Sequence, residues 1–152
     1  GLGNRKSLYK YLSRKISEEK PFYFVQIDLN NFKKINDKYG HLAGDEAIKS
    51  FAEKLKKLKT SHEAVRLGGD EFALIYENQS KDNVEKELEK LENMCNKEEL
   101  KIPNRKNLNC GFSWGIAKYP DDGKDIEAIY GKSDKILYSV KKRTLKRRKT
   151  DN

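Results

Sequence analysis

Cysteine is nearly missing from this chain of 152 residues, and the two present, Cys95 and Cys110, have no partner at metal-ligand spacing and no neighbouring histidine. A disulfide framework, a zinc-finger pattern and an activated thiol nucleophile are thereby excluded, and both cysteines read as ordinary reduced thiols. Long apolar stretches are missing too. No run approaches the roughly 20 residues of a membrane span. No charged, apolar, small-residue sequence opens the chain as a signal peptide would, so a soluble, cytoplasmic protein is expected. The opening Gly1-Leu2-Gly3-Asn4 lacks an initiating methionine, which suggests a piece of a longer protein. Apolar residues are few, at 36%, and charged residues many, at 38%, against usual shares of about 45–50% (glycine counted) and about 25%. Disorder does not follow, because the 8 tyrosines, 6 phenylalanines and single tryptophan fall largely inside short apolar runs. At this length the chain reads as one domain with a core of its own, and no internal repeat divides it.

The formal charge of +9 is mostly a tail: residues 141–149 carry seven positive charges and leave +2 for the rest. Such a run is either the solvated basic end of a helix or a dock for the phosphates of nucleic acid, membrane or nucleotide. No base-reading motif accompanies it, so nucleic acid is not the expected partner.

Apolar spacing predicts a helix from about Lys6 to Glu19, with Leu8, Leu12 and Ile16 on one face and Ser7 as a candidate cap; Pro21 ends it. Phe22-Tyr23-Phe24-Val25-Gln26-Ile27 reads as a buried central strand that delivers Asp28 at its C-terminal end. A short helix over 31–38 and a turn at Tyr39-Gly40-His41 lead into a longer helix from about Ala43 to Lys57. Two strands, Ala64–Leu67 and Asp70–Tyr76, joined at Gly68-Gly69, form a hairpin signal. A charged helix over 81–97 keeps Val84, Leu88, Leu91 and Cys95 at helical spacing, a strand is expected over Asn109–Lys118, and a final helix over Asp125 to about Lys142. Strands mixed with helices and one clear hairpin point to an α+β fold, with helices packed on an antiparallel or mixed sheet rather than a doubly wound parallel one.

This layout draws Asp28, Asp70 and Glu71 toward one point if their strands are neighbours. Carboxylates without histidine or thiolate company suit Mg²⁺ or Mn²⁺, usually with substrate phosphates completing the shell. Gly68 and Gly69 allow close backbone approach to a ligand. Taken alone, Gly68-Gly69-Asp70-Glu71 reads first as a plain turn. Taken one at a time, Asp45 reads as a helix cap, Asn36 and His41 as turn residues, and Lys33 as a solvated helix lysine.

The run from Asp28-Leu29-Asn30-Asn31-Phe32-Lys33 through Asn36, Gly40-His41 and Gly44-Asp45 is more particular, and here the chain resembles a GGDEF domain of the diguanylate cyclase family. The likeness continues through Arg66-Leu67-Gly68-Gly69-Asp70-Glu71-Phe72, Ser113-Trp114-Gly115-Ile116-Ala117 and Ser133-Asp134-Lys135-Ile136-Leu137-Tyr138, and it includes Gly1-Leu2-Gly3-Asn4-Arg5, similar to a clipped family opening. The resemblance implies a palm-like central antiparallel sheet flanked by helices, and condensation of two GTP molecules into cyclic di-GMP by a dimer under an upstream sensory domain. It implies that Asp28, Asp70 and the Leu29 carbonyl hold Mg²⁺ with help from Glu71, and that Asp70 also helps deprotonate the attacking 3′-hydroxyl. Lys33 and Lys141 would neutralise phosphates, Asn36 and Asp45 would read guanine, and His41 and Gly69 would line the nucleotide site. The alternative it leaves is a GGDEF domain that binds GTP only as a regulatory ligand.

Three departures stand out. Asn30 replaces a second aspartate, and Thr144 and Leu145 replace a glycine-arginine pair, with Arg143 or Lys146 as substitutes for the missing phosphate contact. Lys59 and His62 replace the arginine and aspartate of the product-inhibition motif, so no conventional inhibitory site for cyclic di-GMP is expected.

Overall fold

The computed structural model describes residues 2–58, 61, 63–103 and 108–150, the last three by backbone alone. Its elements are α1 (Arg5–Ser17), β1 (Phe22–Leu29), α2 (Phe32–Tyr39), α3 (His41–Lys56), β2 (Glu63–Gly68), β3 (Glu71–Tyr76), α4 (Lys81–Lys97), β4 (Phe112–Tyr119) and α5 (Ile126–Thr150). The strands form one sheet in the order β2-β3-β1-β4, and every neighbouring pair is antiparallel. This is the expected α+β arrangement.

β1 is apolar because it is covered on both faces. Val25, Ile27 and Leu29 point into a core shared with Phe51 and Leu55 of α3 and Leu88 and Leu91 of α4. Phe22 and Phe24 point the other way, toward Leu8 and Leu12 of α1 and Ile129 of α5. The two-residue period of the strand then carries Gln26 and Asp28 onto the same side as Phe24, beneath α5. Strand geometry alone therefore sends the carboxylate toward the last helix.

Several element ends differ from the sequence expectation. α1 starts at Arg5, and its cap is Asn4: Oδ1 accepts the Ser7 amide at 2.9 Å while Ser7 Oγ accepts the Asn4 amide at 2.8 Å. Ser7 is thus the reciprocal partner in a capping box rather than the cap. Gly3 pairs with β2, donating to Ala64 O at 3.1 Å and accepting from the Arg66 amide at 3.0 Å, so the opening segment covers that sheet edge. α3 begins two residues early, at His41. β4 begins at Phe112 rather than Asn109. α5 runs on to Thr150, because nothing from Ser133 to Thr150 is glycine or proline and no stop signal interrupts it. Among the described residues no helix is long and apolar enough to cross a membrane.

α5 lies directly on β4 at Gly115, where an added Cβ would stand 2.1 Å from the Ser133 carbonyl oxygen and 2.7 Å from the Leu137 nitrogen. Both are backbone atoms, so only a shift of the helix could relieve the clash. Gly115→Ala is expected to destabilise the fold by about 1–3 kcal/mol, as overpacking does, and urea denaturation measures it. An unchanged midpoint would show that α5 is free to move outward.

Candidate active site

The acidic pair is assembled by the turn between β2 and β3. Gly69 has φ 51°, a left-handed conformation in which side chains are strained, and the ladder slips by a residue between Arg66 and Gly68. Arg66 fixes the turn by donating from Nε and Nη2 to the Gly69 carbonyl at 3.2 and 2.9 Å. The Leu29 amide then donates to the Asp70 carbonyl at 3.1 Å, tying the turn to the end of β1. With the strands so joined, Asp28 is paired in register with Glu71, and the Asp70 carboxyl comes within hydrogen-bonding reach of the Asp28 carboxyl.

Asp28 is held in an unusual state. Its Oδ2 meets Lys141 Nζ at 2.6 Å, while Oδ1 is buried and lacks a hydrogen-bond donor. Burial first, and the Asp70 carboxyl second, push its pKa up to about 6 against the opposing pull of Lys141. An orphaned carboxylate oxygen beside a second carboxyl is a set of hard donors suited to a Mg²⁺ or Mn²⁺ ion. Among the described residues no group of three or more His, Cys, Asp or Glu side chains is gathered closely enough to hold a metal ion by itself. Glu71 opens β3 directly across the ladder from Asp28, on the same face of the sheet, and the two line one cleft. That cleft, about 470 Å³, is bounded by Gln26, Asp28, Glu71, Asp134, Tyr138 and Lys141.

The remaining candidates lie on α2 and α3. Asn31, with φ 58°, makes the turn out of β1, a conformation asparagine tolerates better than most residues. Lys33 is exposed on α2, His41 is exposed at the first position of α3, and Asp45 is exposed one turn further. Asp45 therefore lies inside the helix and is not its cap, and Asn36 lies inside α2 and not in a turn. Asn36 presses against α3 at Gly44, where an added Cβ would stand 1.8 Å from Asn36 Oδ1. Gly44 thus sets how closely Asn36 approaches the residue before Asp45.

Three further residues shape the site without having been given a role from sequence: Arg66, Gln26 and Ser133. Gln26 is 2% exposed; its Nε2 donates to Asp134 Oδ1 and its Oε1 accepts from Ser133 Oγ, both at 3.0 Å. The signal was a lone amide in an apolar strand. Asn30 is likewise engaged, its Oδ1 accepting from Ser113 Oγ at 2.7 Å, which makes it a brace between β1 and β4. Arg143 turns back along its own helix, with Nε 3.4 Å from the Ser139 carbonyl, and Leu145 is 55% exposed. Lys59 and His62 lie outside the described residues. Cys95 and Cys110 are free and buried, and burial pushes their thiols up to about 11 and about 12, so neither is a nucleophile.

Comparison with known proteins bears on this geometry. Residues 1–147 match the model of the diguanylate cyclase GGDEF domain. Diguanylate cyclase DgcS of Shewanella oneidensis is 30% identical over 93% of this chain and 47% of its own length. Among solved structures, a sensory box/GGDEF family protein from Caulobacter crescentus is 34% identical with a TM-score of 0.79, covering 94% of this chain and 95% of the other. The active GGEEF domain of a diguanylate cyclase from Vibrio cholerae is 27% identical with a TM-score of 0.81, over 94% and 93%. The chain spans between 18% and 47% of the length of its curated relatives from Bacillus subtilis, Caulobacter vibrioides and Shewanella oneidensis.

The raised Asp28 pKa has a measurable consequence for stability. Its folded value, about 6, lies above the ordinary 3.8, so between these values the folded protein binds a proton that the unfolded chain releases. Asp28 therefore favours folding most below pH about 4, and that contribution is lost as the pH rises through about 6. Asp28→Asn removes the linkage, so relative to the unaltered protein it is expected to gain stability as the pH rises from about 4 through about 6. Urea denaturation of both proteins at each pH tests this, and a constant difference between them would contradict the raised value.

Proposed function

We propose that this chain, which belongs to the GGDEF family, is a diguanylate cyclase that condenses two GTP molecules into cyclic di-GMP with release of two pyrophosphates. The observation that carries the reading is the orphaned, buried Asp28 Oδ1 beside the Asp70 carboxyl, in a cleft that also receives Lys141. A Mg²⁺ or Mn²⁺ ion bound to that pair, with the Leu29 carbonyl, would supply positive charge for the reacting phosphate. The named relatives from Shewanella and Vibrio support the same reading.

The chain's own residues divide the remaining work. Each 3′-oxygen forms a bond to the α-phosphorus of the other GTP while the bond from that phosphorus to pyrophosphate breaks. Asp70 accepts the proton of the attacking hydroxyl, and Glu71, paired in register with Asp28, would assist at the ion. Lys33 and Lys141 neutralise charge that builds on the phosphate oxygens. Gly69 leaves the turn without a side chain where the nucleotide passes. His41 lines the site. Asn36 and Asp45 read the base: guanine presents adjacent donors at N1 and N2, which a carboxylate accepts, whereas adenine offers a donor beside an acceptor. Because each protomer holds one GTP, two protomers must face each other, and a sensory domain elsewhere in the full-length protein would govern that encounter.

A second reading has its own support. Arg143 folds onto α5, Leu145 stands in an arginine's place, and among the described residues no arginine lines the cleft beside Asp28, as would suit a domain that binds GTP as a regulatory ligand without turnover. Incubation with GTP and Mg²⁺ over a range of protein concentrations separates the two. Cyclization predicts cyclic di-GMP at a rate per protomer that rises with concentration, and its loss in Asp70→Asn; tight GTP binding by calorimetry with no product at any concentration selects the regulatory reading. In an active protein, Asp45→Ala is expected to reduce the preference for GTP over ATP by about tenfold or more. An unchanged ratio of kcat/KM values would remove Asp45 from base recognition.

A further inference from the structure

Lys141 reaches Asp28 from a helix whose position is fixed by two independent contacts. The buried Gln26, two residues before Asp28, binds Ser133 and Asp134 at the middle of α5. Gly115 lets the backbone from Ser133 to Leu137 rest on β4. Lys141 follows Leu137 by one turn on the inward stripe, and its ammonium meets Asp28 Oδ2 with the two side chains 31% and 19% exposed. The helix is held by its backbone and by Ser133 and Asp134, whereas Lys141 reaches Asp28 through a four-carbon stem of rotatable bonds. A lysine of this kind can exchange one anionic partner for another without moving the fold.

A divalent ion on the Asp28–Asp70 pair would claim the same carboxylate. Two cations on one carboxyl group repel each other, and in a half-buried site water screens that repulsion less than at an open surface. We infer that Lys141 is a placeholder cation: it competes with a divalent ion for Asp28 and yields when a triphosphate offers it a second anionic partner. Metal alone then binds poorly, and metal with nucleotide binds well. The two load together because the lysine needs somewhere to go. This inference rests on the reading that Asp28 and Asp70 hold a divalent ion.

Binding of Mn²⁺ alone, followed by the electron paramagnetic resonance of the free ion, tests it on the whole chain without reference to turnover. Lys141→Met is expected to bind Mn²⁺ about fivefold more tightly than the unaltered protein, the size of a partly screened charge pair, while Lys141→Arg keeps the original affinity. Equal or weaker binding by Lys141→Met overturns the placeholder and leaves the metal-binding reading intact; no binding by either protein overturns both. Should Lys141→Met fail to fold, the unaltered protein still decides. The Lys141 ammonium ¹⁵N resonance, assigned by its loss in Lys141→Arg, is expected to shift when Mg²⁺ and a nonhydrolysable GTP analogue are added, and an unmoved resonance overturns the placeholder.

Discussion

Two carboxyl groups pressed together at the end of a buried strand set the terms for everything around them. Asp28 is driven inward by the register of β1, and Asp70 is brought beside it by a turn that Arg66 holds shut. Neither burial nor a like neighbour favours a charged Asp28. The arrangement persists because Lys141 offsets part of the cost and because the strands and α5 are held by contacts that do not depend on it. A buried carboxylate oxygen without a donor, beside a second carboxyl in a sheet otherwise packed with phenylalanine and leucine, is the kind of perturbed group that marks a candidate functional site.

Much of this was readable in the sequence, and the limits have physical causes. The apolar run of β1 and the glycine-pair hairpin declare themselves locally, since turn chemistry and two-residue periodicity act over a few positions. So the strands, and Asp28 at a strand end, could be placed. The Asn4–Ser7 capping box was half visible: Ser7 is a good cap by type, yet Asn4, three positions earlier, takes the role and leaves Ser7 the reciprocal one. The length of α5 was missed because apolar spacing fades after Val140, where charged residues take over, while nothing in that polar end breaks the helix. Asp28 and Glu71 could be set near each other only on the condition that their strands are neighbours, and the register that pairs them comes from the sheet rather than from local sequence.

The polar braces were the least legible, since each depends on pairing between distant segments. Gln26 and Ser133 are 107 positions apart and Asn30 and Ser113 are 83 apart. A glutamine in an apolar strand announces that a partner exists without saying which. The likeness to the family located the acids and the lysine without help from these braces, which hold the geometry in place here.

α1 completes the frame. Its start is locked to the β2 edge through Gly3, and further along Lys15 Nζ meets Glu77 Oε1 at 2.7 Å while Tyr11 donates its hydroxyl to the same carboxylate. Lys15 and Tyr11 are both buried, and a buried ion pair broken on one side leaves an uncompensated charge, so sliding α1 along the sheet is costly. β3 ends at Tyr76, the residue before Glu77, and begins at Glu71 in the cleft; α1 is therefore coupled to the strand that opens into the site. The contacts that hold α1 against the sheet therefore run through Glu77 to the same strand whose other end carries Glu71 into the cleft.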